Sequence, residues 1–228
     1  AQELLRTRGQ AKADKKAGRI AAEGRIESAT RADGSLAVLV EVNCETDFVA
    51  KDPGFQQFAK QAADAAVAAE PATVEALLAL PLPGGGTLEE VRRDLVARIG
   101  ENINVRRFEY VRPAGTLASY FHGTRIGVLV DLEGGSADLG RDLAMHIAAT
   151  NPRYADAGQV PADVQANERR ILSEQAQNEG KPAEIVAKMV EGRLRKFLAE
   201  ITLVGQPFVK DPDTTVGNLL KTHSARVV

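Results

Sequence analysis

The apolar run Leu36-Ala37-Val38-Leu39-Val40 is short and rich in branched residues, and it predicts a buried strand. With Ile26 to Ala32 before it and Asp33-Gly34 between, the pattern is that of a β-hairpin with a tight two-residue turn. Upstream, residues 2–23 carry helix formers and stop at Gly24, which predicts an N-terminal helix closed by glycine. Downstream, Asp52-Pro53 supplies an N-cap and a first-turn proline, and Phe55, Phe58, Ala62 and Ala65-Ala66 follow at helical spacing. Pro81 to Gly86 reads as a loop. Thr87 to Ile99 reads as a helix opened by a Thr87/Glu90 capping box, and Ile103 to Val111 as a strand.

A second pass of the same pattern begins at Gly115. Leu117 to Phe121 and Arg125 to Leu132 flank His122-Gly123 as a hairpin, and a helix from about Asp138 to Thr150 ends at Asn151-Pro152. Ser35-Leu-Ala-Val-Leu-Val-Glu41 and Arg125-Ile-Gly-Val-Leu-Val-Asp131 nearly superimpose, which indicates an internal duplication of a roughly 90-residue unit. The second copy carries an insertion. Pro161 to Gly180 and Pro182 to about Leu203 form two amphipathic helices with a narrow apolar seam and seven charges of each sign over 161–200. They read as a projecting antiparallel coiled-coil hairpin, or else as two ordinary core helices.

The fold class expected is α+β: two related subdomains with antiparallel sheets and helices, an inserted coiled-coil hairpin and an N-terminal helix. The expected divisions are 1–24 for the helix and linker, 25–114, and 115–228 with the insertion at about 161–203. Leu95 to Ile103 aligns with Leu219 to Val227, after which copy one continues into a strand. On that alignment copy two lacks its last strand, and the chain reads as shortened at both ends. The uncovered edge would offer a route to self-association.

Composition narrows the function. With 228 residues, 44% apolar and 26% charged, the chain is an ordinary soluble protein with material for one or two cores. A net charge of −2 gives no electrostatic case for nucleic acid, although the first 31 residues hold eight Lys/Arg against four Asp/Glu. One cysteine excludes an internal disulfide and fits a reducing cytoplasmic setting. No apolar run approaches the length of about 18 residues that a membrane helix needs.

Candidate chemistry is sparse. His122, His146 and His223 lack metal-ligand spacing, and no nucleophile–histidine arrangement stands out. Gly84-Gly85-Gly86-Thr87 imitates a phosphate cradle but has no following lysine, and Gly180-Lys181 is followed by proline. Cys44 reads as a small buried hydrophobe. With no residues for catalytic roles and no cofactor expected, binding remains. The stretch Asn43 to Phe55 then draws notice through Phe48, which is either core with Phe55 and Phe58 or an anchor on a projecting corner. Copy two has Glu133-Gly134-Gly135 where copy one has Thr46-Asp47-Phe48.

Thr46-Asp47-Phe48-Val49-Ala50-Lys51 resembles the signature of the elongation factor Ts family, the bacterial guanine-nucleotide exchange factors for elongation factor Tu. So do His122-Gly123-Thr124-Arg125-Ile126-Gly127-Val128, Met145-His146-Ile147-Ala148-Ala149 with Asn151-Pro152, and Glu191-Gly192-Arg193-Leu194 with Gln206 to Lys210. Lys15 to Arg19 with Glu23-Gly24 looks like the family's linker. The resemblance is collinear over essentially the whole chain. It implies that Thr46, Asp47, Phe48 and Val49 reach the partner near its nucleotide and disturb its magnesium site, with Ile126, Gly127 and His146 as further interface. The implied partner is elongation factor Tu, GDP-bound and nucleotide-free, with no direct nucleic acid, no membrane and a possible pairing of two complexes. The family also begins with a small ubiquitin-associated-like module, of which Gln2 to about Arg8 resembles the last helix. The competing reading is a translation-associated RNA-binding protein that uses the basic first 31 residues. A near-neutral body and the lack of a stacking set of aromatics weigh against it.

Overall fold

The structure, a computed structural model, describes residues 15–178 and 182–228. The expected helix at Gln2 to Arg8 and the centre of the 178–182 connection lie outside the described residues. The chain divides into two compact units, one of residues 1–113 with 120–129, the other of residues 114–119 with 130–228.

In the first unit, β1 (Glu23–Thr30), β2 (Ala37–Cys44) and β3 (Asn104–Val111) form an antiparallel sheet in the order β1-β2-β3. Two expectations fail here. The expected N-terminal helix does not reach residue 23, because β1 already begins at Glu23, with Gly24 paired to Asn43 in the ladder rather than ending a helix. The β1–β2 turn is also wider than two residues: Arg31 N–H donates to the Leu36 carbonyl, and Asp33 accepts from Ser35 inside the loop. The register is nonetheless the one a two-residue turn at Asp33-Gly34 would set, with Thr30 opposite Ala37, so every β2 side chain keeps its face.

Helices cover one face of this sheet. After a single helical turn, α1 (Asp47–Ala50), the long α2 (Pro53–Ala69) starts at Asp52, whose carboxylate accepts from the Gly54 and Phe55 amides. Next come α3 (Val74–Leu78), capped by Thr73 and not foreseen in the apolar pattern, and α4 (Leu88–Ile99), which opens with the expected capping box. Val38, Val40, Val42, Phe55, Phe58, Leu77, Leu88 and Ile103 fill the core between helices and sheet.

The second unit repeats the scheme. β4 (Thr116–His122), β5 (Ile126–Glu133) and β8 (Arg226–Val227) form a sheet in the order β4-β5-β8, so the two strands that nearly superimpose in sequence are both central. The strand expected to be missing is present over two residues, with Leu132 paired to Val227 and Glu133 to Arg226. α5 (Ala137–Thr150) starts at a Ser136 cap and stops at Asn151, as expected. α6 (Ala162–Asn178) and α7 (Ala183–Ile201) pack on each other through Leu172, Ala176, Val190 and Leu194. A small hairpin, β6 (Pro207–Phe208) with β7 (Asp211–Thr215), then leads into α8 (Val216–Thr222).

Candidate functional site

The turn between β2 and α2 has no counterpart in the second copy. In the second unit, Gly134, Gly135 and the Ser136 cap suffice to pass from β5 into α5. In the first, residues 45–52 insert α1, and Phe48 stands at its outer side with 80% of its surface exposed. Of the four residues singled out from sequence, only Asp47 and Phe48 face solvent. Val49 is buried against the core, and Thr46 serves the turn.

Short and long bonds both hold the turn. The Thr46 hydroxyl accepts from the Val49 amide at 3.4 Å, which caps α1, and Lys51 bridges to Asp47 at 2.9 Å one helical turn away. That exposed pair holds the Asp47 carboxyl below its usual range, the Lys51 ammonium being the main cause. A second bracket comes from the far end of α4. The Glu101 carboxylate accepts from the Glu45 amide (3.1 Å), the Thr46 amide (3.0 Å) and the Thr46 hydroxyl (2.8 Å). In return, the Glu45 carboxylate accepts from the Asn102 amide at 2.6 Å and pairs with Arg19 at 2.6 Å. The Asn102 side chain donates to the carbonyls of Ala17 and Arg19. No local sequence signal marks Glu101 or Asn102, which stand more than fifty positions from the turn they hold.

Below the turn, Cys44 is buried, with its sulfur 3.2 Å from the Thr46 carbonyl. Burial, with the nearby Glu101 and Glu23 charges, pushes its thiol up to about 12. It is therefore a protonated packing group at neutral pH.

Residues 120–129, the tip of the β4–β5 hairpin, group with the first unit. The Ile26 amide donates to the Thr124 carbonyl at 2.7 Å, and Arg125 pairs with Glu23. Gly127 is needed for close approach: a Cβ there would lie 2.8 Å from an Ile26 methyl and 2.9 Å from the Phe121 ring. Ile126 and Phe121 remain more than a third exposed. Two apolar surfaces of the first unit, Phe48 and this tip, thus stay uncovered.

His146 lies elsewhere, in the second unit, and it is fully buried. The Val209 amide donates to Nδ1 at 3.2 Å, which leaves the hydrogen on Nε2 to bond Gln206 Oε1 at 3.0 Å. Its ring lies 5.9 Å from that of Phe208. The side chain therefore fastens the 206–209 segment, and it presents no surface of its own. Burial depresses its pKa. Below about 6.5 the unfolded chain takes up a proton that the folded ring resists, so this stability is present above about 6.5 and is lost as pH falls. Melting temperature is expected to drop between pH 6.5 and 5, and His146→Gln to flatten that slope. An unchanged slope in the variant would remove His146 as its source. The carboxylates of Glu41 and Glu89, where burial pushes the pKa up but their arginine partners together outweigh it and hold it low, act in a separate window below about 4.5.

The glycine-rich loop before α4 holds its own anion. The Glu90 carboxylate accepts from the Thr87 amide at 2.9 Å, at the helix N-terminus where a phosphate would sit. Among the described residues, no group of three or more His, Cys, Asp or Glu is arranged to hold a metal ion. No helix there is long and apolar enough to cross a membrane.

The two-copy α+β scaffold thus displays an exposed aromatic on a braced turn, an arrangement suited to a protein that binds a partner through its surface. The family model for elongation factor TS matches residues 45–228, which include the turn, the hairpin tip and the His146 helix. Elongation factor Ts of Methylococcus capsulatus is 61% identical over 227 residues, 99% of this chain and 78% of that protein. Those of Thioalkalivibrio sulfidiphilus and Legionella pneumophila are 56% and 50% identical, each over 77% of the relative's length. The chain belongs to the elongation factor Ts family, the nucleotide-exchange factors of translation elongation.

Proposed function

We propose that this chain binds GDP-bound elongation factor Tu and speeds GDP release by pushing Phe48 into the partner beside the nucleotide, where the magnesium and phosphate contacts are disturbed. The observation that carries the reading is the 80% exposure of Phe48 on a turn whose other apolar residues are buried. A rigid aromatic orders few torsions on entering a pocket, which suits a wedge. Asp47 sets a carboxylate beside it, which adds repulsion toward the phosphates.

The energetics are those of linkage. A factor that binds the nucleotide-free GTPase more tightly than the GDP form weakens GDP by the same factor, about 1.4 kcal/mol per tenfold. Magnesium bridges protein and phosphates, so displacing it removes a large local charge that retains the nucleotide. Ile126, beside Phe121 on the hairpin tip, supplies a second apolar contact, which Gly127 admits by letting the strand lie against Ile26. His146 contributes indirectly, through the 206–209 segment. No covalent step is required of any of these residues.

The test is release of a fluorescent GDP analogue from elongation factor Tu. Substoichiometric amounts of this chain are expected to accelerate release and to turn over. Release at the spontaneous rate would overturn the proposal.

A further inference from the structure

Phe48 is displayed on a single helical turn, and one turn of helix does not hold its own shape in water. Its rigidity has to come from outside, and the bracket at Glu101 is where the structure supplies it. We propose that Glu101 is a positioning residue for exchange: its carboxylate sets the direction in which Phe48 points, without touching the partner. The inference rests on the wedge reading above.

One carboxylate takes three donors from two consecutive residues, the Glu45 and Thr46 amides and the Thr46 hydroxyl. These are the last groups of the chain before α1 begins. The Thr46 hydroxyl then spends its acceptor on the Val49 amide. Oxygen, hydroxyl and first helical turn form one continuous line from α4 to the peptide that bears Phe48. Bonds to a charged acceptor are the stronger kind, and a bidentate arrangement fixes direction as well as distance. The exchange is reciprocal, because Glu45 holds the Asn102 amide while Glu101 holds the amide of Glu45. Neither turn can swing without breaking the bonds of the other. The second copy has no exposed aromatic at this place and passes into its helix through two glycines.

A merely structural role and a positioning role differ in how they combine with loss of the wedge. Glu101→Gln keeps the shape but gives up the charge and one acceptor oxygen. It is expected to lower the GDP release rate about tenfold in the wild-type background, since small misplacements of a working group cost that much or more. In the Phe48→Ala background it is expected to change the rate less than twofold, since there is no wedge left to aim. Equal losses in both backgrounds, or no loss in either, would overturn the proposal. A Phe48→Ala variant as active as wild type would instead sink the wedge reading itself, and the two failures are distinguishable in one four-variant set. Melting curves accompany each variant. Where Glu101→Gln does not fold, Glu101→Asp, which retains the charge on a shorter arm, is read on the same cycle with the same expectation of loss only when Phe48 is present.

Discussion

Phe48→Ala is expected to slow GDP release from elongation factor Tu by about a hundredfold while leaving the melting temperature of this chain unchanged. Both halves follow from one fact. A phenylalanine ring 80% exposed contributes almost nothing to folding, so its removal belongs with surface substitutions, within about 0.5 kcal/mol. The same ring buried in a partner's pocket gives up the free energy of a large apolar group, about 2–3 kcal/mol, and truncations at such anchors cost about that much in binding. At about 1.4 kcal/mol per decade this is close to two orders of magnitude. Phe55 and Phe58, a few residues on, give the opposite pattern because they are fully buried: truncation there is expected to unfold the unit before exchange is measured. Stopped-flow release kinetics beside a melting curve separate the two. A Phe48→Ala chain that accelerates GDP release from elongation factor Tu as fast as wild type would end the wedge reading.

The sequence around Phe48 carries opposing signals. Its neighbours Val49 and Ala50 are buried, and Phe55 and Phe58 are core, so local pattern argues for burial. Comparison of the two copies points the other way, since the connection into α2 is longer than that into α5 by the turn that bears the ring. The helix starts at Thr87 and Asp52 were legible because a cap is a local bargain among three or four residues. The bracket at Glu101 was not legible, because its partners lie 55 and 56 positions away and only the fold brings them together. The burial of His146, by contrast, has a readable local signal. Leu139, Leu143 and His146 fall at helical spacing on one apolar face of α5, which places the ring inside. α3 leaves no signal in the apolar pattern because five residues are too few to display a period.

Gly24 carries a stability prediction that only the fold reveals. A glycine after a run of helix formers resembles a helix stop, but the actual demand on this residue is made by β2. Gly24 sits at φ 145°, and a Cβ there would lie 2.1 Å from the Val42 carbonyl oxygen and 2.8 Å from the Asn43 Cα. Both obstacles are backbone of the central strand, so no side chain can rotate away to relieve the clash. Gly24→Ala must therefore bend β1 off β2 or strain its own dihedrals, and each costs on the order of 1–3 kcal/mol. A loss of about 1–3 kcal/mol is expected in urea unfolding, seen in probes of the first unit. The second copy repeats the constraint: a Cβ on Gly115 would come within 2.2 Å of the Leu132 carbonyl, the position that corresponds to Val42. Gly115→Ala is expected to weaken the second unit in the same way. Gly192 in α7 is the control, because nothing lies within 4 Å of a Cβ there, and alanine is expected to stabilise that helix by about 1 kcal/mol. If Gly24→Ala unfolds no earlier than wild type, the approach of β1 to β2 is looser than these distances state. The base of the Phe48 turn, which grows directly from the end of β2, would then be looser too.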